Sequence, residues 1–173
     1  MPRVIAYLPF LVPVLLPAQE SLPTPRAELL NHFEMSMRKV IALAEAMPAE
    51  RYTWSPDKEA MPVGRVYAHI ARYNYYYPAT ALRAALPSDI KLDTLETLRD
   101  KATIVRLLRA SADYARNSMS ALTDKQLEDA TRLYGRTVPG WAVMLQLVAH
   151  MNEHLGQSIA YARSNNVVPP WSQ

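Results

Sequence analysis

The chain has 173 residues, half of them hydrophobic and a fifth charged, with 19 basic and 16 acidic side chains and a formal charge of +3. This is a globular composition, long enough for one domain with a sizeable core, and it excludes a disordered chain. The basic excess is small and spread out, with no Lys/Arg run of the kind that marks a nucleic-acid footprint. Cysteine is absent, so disulfides, thiolate metal sites and cysteine nucleophiles are excluded, and any metal must be held by His, Asp, Glu or water. Gly is scarce, with 4 residues, which favours helix.

The first stretch, MPRVIAYLPFLVPVLLPAQE, differs from everything after it. Arg3 is its one charge before Glu20, and Val4 to Leu16 is an apolar run broken by Pro9 and Pro13. That run is shorter than the roughly 20 residues a membrane-spanning helix needs. A basic start, an apolar middle and a small residue at Ala18 fit a secretory signal over residues 1–18. On that reading residues 19–173 form an exported protein, periplasmic or secreted, with no stable membrane insertion after cleavage. A packed or disordered extension and a retained membrane tether are the other readings.

The body reads as helix. Thr24 caps and Pro25 opens a first helix carrying Leu29, Phe33, Met37, Val40, Ile41 and Ala44 at helical spacing, closed by Pro48. A proline-marked loop spans 48–62. A second helix is expected over about 63–86 with Val66, Ile70, Tyr73 or Asn74, Tyr77 and Ala81 inward, and a kink near Pro78. Thr94 or Thr97 caps a third, running to about Leu122 with Leu98, Ile104 or Val105, Leu108, Ala112, Ala115 and Met119 on its apolar face. Residues 123–139 read as a short helical piece followed by a loop. A fourth long helix covers about 140–164, and the tail NNVVPPWSQ reads as extended. No alternating strand pattern or repeat is visible. Four long helices with modest connections point to an all-α four-helix bundle.

The last helix carries His150 and His154 one turn apart. On a helical wheel Trp141, Leu145, Val148, Leu155 and Ile159 gather on one side, and His150, His154, Gln157 and Tyr161 on the opposite one. That second side is either solvated or a ligand face. Two features speak for ligands. Val143 and Leu147 share the side, and His69 lies among apolar and aromatic neighbours in VYAHIARYNYYY. Bundle helices can bring such residues together, and three imidazoles with an open position suit a divalent ion such as zinc or nickel. Glu153, Gln157, Tyr161, Tyr73 and Tyr75 to Tyr77 are candidates to support or line the site, although the tyrosines also suit plain packing. HMNEH also matches H-x-x-E-H, the inverted zinc-protease pattern with Glu153 as base. No Asp, Glu or His follows His154 to complete that site. His32 reads as structural or exposed.

The stretch VGRVYAHIARYNYY, the WSP at 54–56, and LTDKQLEDATRLYGRTVPGWAVMLQLVAHMNEHLGQSIAYARSNNVVPPWS together resemble the DinB-like (YfiT-like) family of metal-dependent hydrolases. The likeness covers about residues 25–172. It implies an antiparallel four-helix bundle, often a homodimer, with a divalent metal on His69, His150 and His154. It implies a metal-dependent hydrolase or transferase acting on a small molecule whose identity the resemblance leaves open. Some relatives use low-molecular-weight thiols, which fits poorly with export. The alternative is a non-catalytic exported binding or stress module in which metal is structural or absent. No serine elbow or other nucleophile constellation appears, and DNA binding has no support in the residues.

Overall fold

The computed structural model describes residues 22–172, so the leader expected over 1–18 lies outside the described residues. The first helix, α1, spans Pro25–Ala46. Thr24 caps it with its side chain accepting from the Ala27 N–H, and Pro25 takes the first turn, where a missing N–H costs nothing. Met47 turns extended ahead of Pro48 and ends it. The helix buries Phe33, Met37, Val40, Leu43 and Ala44, while Leu29 and Ile41 stay half-buried at the edge.

The second helix, α2, spans Val63–Ala81 and accommodates Pro78 in its last turn. It stops earlier than the apolar pattern predicts. Arg83 adopts a left-handed backbone, φ 59°, which breaks the helical run. Residues Leu92–Thr97 form a 3-10 turn. The third helix, α3, begins only at Lys101 and ends at Ser120, because Asp100, not Thr94 or Thr97, provides the cap to the Thr103 N–H at 2.8 Å. Its inward row is Ile104, Leu108, Ser111, Ala115 and Met119.

A short helix, α4 at Asp124–Glu128, opens with a reciprocal capping box between Thr123 and Gln126. The loop expected next is in fact a β-hairpin. β1, Ala130–Leu133, pairs antiparallel with β2, Arg136–Pro139, and the pair closes at Leu133 opposite Arg136. The turn residues Tyr134 and Gly135 both have positive φ, 49° and 75°, the backbone a two-residue hairpin turn demands. The final long helix, α5, spans Gly140–Ser164, as its spacing predicts. The tail ends in a further 3-10 turn over Pro170–Ser172, where an extended segment was expected.

The molecule is predominantly helical. α1 packs against α3 and α5, and α2 packs against the same two helices, so each long helix meets two others around a shared core. The side of α5 that carries Trp141 divides: Trp141 and Leu145 are exposed, Val148 and Ile159 half-buried and Leu155 buried, whereas Val143, Leu147, His150, His154 and Tyr161 on the other side are all buried. The histidine side faces the other helices because Val143, Met144, Leu147 and Met151 belong to the main core.

Candidate metal centre

Two helices bring three imidazoles together. His69 projects from the middle of α2, and His150 and His154 project from α5, which packs alongside it. One ligating nitrogen from each ring lies within 4.8 Å of those from the others. His150 and His154 are buried, and the His69 side chain is 18% exposed. Nε2 of His150 stands 3.3 Å from Nε2 of His69. Two nitrogens at about 2.0–2.1 Å from one tetrahedral ion stand about 3.3–3.4 Å apart, so this spacing suits a shared ion.

The outward nitrogens decide what the inward ones can do. Nδ1 of His69 donates to Oε1 of Glu96 at 2.9 Å, and Nδ1 of His154 donates to Oε1 of Gln157 at 2.8 Å. The Gln157 amide is itself oriented, since its Nε2 donates to the Tyr161 hydroxyl at 3.1 Å. With Nδ1 of each ring holding the proton, Nε2 of His69 and of His154 carries a free lone pair, the form in which imidazole ligates a metal. His150 differs: its Nε2 faces that of His69 and can donate to it, so taking up an ion requires its proton to leave that nitrogen. Burial pushes the His150 imidazole down to about 3, and the nearby His154 and His69 add to the shift. Burial likewise holds His69 below its ordinary value, against the opposing pull of Glu96. Burial thus favours the uncharged form of both His69 and His150, the form that ligates a cation.

Glu96 is the functional neighbour that the sequence reading missed. Burial alone raises its carboxyl, but the hydrogen bonds from His69 and Arg65 outweigh burial and keep it below the ordinary glutamate value. Its Oε2 accepts from Arg65 Nε at 3.1 Å, and Arg72 Nη1 lies 3.6 Å from Oε1. It sits in the 3-10 turn that replaced the expected start of α3. The signal available in the sequence was indirect: Arg65, His69 and Arg72 form one row along α2 and call for an acid partner.

The remaining candidates separate. Gln157 and Tyr161 belong to the network behind His154, and Trp54 from the loop before α2 stands edge-on to Tyr161 at 5.3 Å. Tyr73 packs 4.7 Å, centroid to centroid, from both His69 and His150. Tyr77 is fully buried 5.9 Å from His150 and hydrogen-bonds Tyr134 of the hairpin turn. Tyr76 packs on Tyr73, and Tyr75 turns away to Tyr114. Glu153 is exposed and makes no hydrogen bond to the histidines, and His32 is exposed on α1.

The three imidazoles, two of them tethered through their outer nitrogens, could together hold a metal ion. The DinB superfamily matches residues 32–160, and the chain belongs to that family. A DinB-like protein of Bacillus cereus ATCC 10987 has the same fold with a TM-score of 0.64 at 18% identity, over 82% of this chain and 93% of its own. The DinB-like protein YjoA of Bacillus subtilis gives 0.66 at 18% identity with the same coverage. A conserved protein of Enterococcus faecalis gives 0.65 at 12% identity, over 82% of this chain and 97% of its own. No curated protein matches the sequence.

Proposed function

We propose that the protein holds one divalent metal ion, zinc or nickel, on His69, His150 and His154, and uses it as a hydrolase or transferase on a small molecule. The observation that carries this reading is the pair of tethered rings, with Glu96 and Gln157 occupying the outer nitrogens so that unprotonated nitrogens converge. Three protein ligands leave coordination positions free, which is the pattern of catalytic rather than structural sites. When bound, such an ion supplies Lewis acidity towards water or a substrate oxygen. The chain's own residues do the rest. Glu96 and Gln157 fix the rings and make them more basic, Tyr73 forms an aromatic wall against two of them, and Tyr77 and Trp54 back the site with apolar surface.

An antiparallel bundle is the arrangement that best accounts for four long helices each packed on two others. Export is part of the same reading and rests on the apolar N-terminal sequence; among the described residues no helix is long and apolar enough to cross a membrane. A homodimer is supported by Trp141 and Leu145, one turn apart on α5 and 42% and 48% exposed.

Elemental analysis after zinc, nickel or manganese loading tests the ion. About one ion per chain is expected, lost in His69→Ala, His150→Ala and His154→Ala while circular dichroism stays helical. Binding retained in all three variants would reject the site. Cobalt-loaded protein tests the open position: added azide should shift its visible spectrum, and an unmoved spectrum would assign the ion a structural role.

A further inference from the structure

Next to the metal centre lies a second constellation that the reading above leaves unused. A cavity of about 520 Å³ is lined by Arg65, Arg72 and Arg99 together with Asp93, Glu96 and Thr97. Three guanidinium groups face two carboxylates, and one of those, Glu96, is already engaged by His69 and Arg65. We propose that this cavity binds a small anionic group, a carboxylate or phosphate, and that the bound anion acts on the metal centre through Glu96 and His69. The second half of this statement rests on the function proposed above.

Arg65 and Arg99 are exposed and Arg72 is half-buried, and each is tethered to an acceptor. Arg65 is held through Nε on Glu96, and Arg72 through Nε on the Leu92 carbonyl at 3.2 Å. Arg72 is further fixed by its stacking over Tyr73 at 5.1 Å and Tyr76 at 5.8 Å. Arg99 is held through Nη1 on the Glu96 and Leu98 carbonyls at 3.0 and 2.8 Å. In each case one edge of the guanidinium is used for anchoring. Among the described residues the Nη2 group of all three has no protein partner. Donors fixed in place before the ligand arrives spare the entropy of ordering them, and the guanidinium fork matches carboxylate and phosphate oxygens.

Two residues join this cavity to the metal centre. Glu96 is a wall of the cavity and the partner of His69. Arg72 is a wall of the cavity and lies over Tyr73, whose ring packs against His69 and His150. The cavity thus adjoins the His69 ring at its Nδ1 edge, while the ligating Nε2 points to His150, so an anion on the arginines acts on the metal centre through Glu96 and His69.

The test is a titration of the metal-free full chain with inorganic phosphate and, separately, sodium acetate at constant ionic strength, read by amide and guanidinium NMR shifts. Saturable shifts confined to residues 92–99 and the three arginines are expected with at least one of the two anions, and the one that saturates identifies the acidic group. Arg99→Gln should weaken binding about tenfold. Thr97→Glu, which places a negative charge in the wall, should abolish it, and the exposed Arg136→Gln on the hairpin should leave it unchanged. No saturable shift, or equal losses in Arg99→Gln and Arg136→Gln, would overturn the proposal. In zinc-loaded protein the Arg99-dependent affinity should rise several-fold by linkage; an unchanged affinity would detach the cavity from the metal centre. Anion binding in a wild-type protein that takes up no metal would reject the metal reading and the second half of this proposal while upholding the anion site, and metal uptake without anion binding would reject this proposal alone.

Discussion

His150 is buried between two other imidazoles, and its acid–base behaviour shows what the cluster demands of the fold. In the unfolded chain this imidazole takes up a proton near its ordinary value of 6.5; in the metal-free folded chain it does so only near about 3. Between those values the unfolded state binds more protons, so stability falls as pH drops through that window and recovers as pH rises. We expect denaturant unfolding of metal-free protein to lose up to about 1.4 kcal/mol per pH unit there. His150→Gln should flatten the dependence, and an unchanged slope in that variant would contradict the assignment. The outer nitrogens make a second expectation at this scale. Gln157→Ala frees the His154 ring and Glu96→Gln weakens the acceptor on His69, so each should cost about 10- to 100-fold in metal affinity, read by chelator competition. Glu153→Gln should leave that affinity unchanged, since Glu153 is exposed and bonds neither ring.

Among the elements, α1 and α5 were legible because their signals are local: Thr24-Pro25 at one start, and apolar spacing over a whole length in the other. The element boundaries that sequence reasoning misplaced depend on contacts far along the chain. Thr94 is a sound cap by type, yet the chain uses Asp100, because Leu95 is drawn into the core and Glu96 to His69 in a tighter 3-10 turn. The hairpin escaped notice because each strand has four residues, and of its residues only Leu133 is buried, so no alternation develops. Its turn carries Tyr-Gly where Asn-Gly is the usual signal. The junction into α5 offers a test. A Cβ on Gly140 would lie 2.2 Å from the Gln126 carbonyl oxygen, a backbone atom that cannot rotate aside. Gly140→Ala should therefore destabilise the protein by about 1–3 kcal/mol in thermal or denaturant unfolding. Gly156→Ala, where nothing lies within 4 Å of the added atom, should not.

For the whole molecule, the three histidines join α2 to α5, so an ion held by them in the folded state alone would stabilise it. At a free metal concentration of 100 times Kd the gain is about 2.7 kcal/mol, which for a chain of this size raises Tm by roughly 5–10 °C. His69→Ala should abolish the rise, as it removes the ligand from the opposite helix. The three histidines could be picked out from the sequence because two share a helix turn and the third sits in an apolar stretch. Their convergence depends on which helices pack together, and that was legible only through the family resemblance. Glu96 left only the indirect signal of the Arg65, His69 and Arg72 row, and the cavity left none, because Arg65, Arg72 and Arg99 meet only once the 3-10 turn folds back on α2.

The first measurement is X-ray absorption at the zinc edge of the loaded protein. A site across α2 and α5 gives about three imidazole ligands at roughly 2.0–2.1 Å with one or two oxygen ligands, and loss of imidazole scattering in His69→Ala. An oxygen-only shell, or a wild-type spectrum that His69→Ala leaves unaltered, would contradict a site built across the two helices.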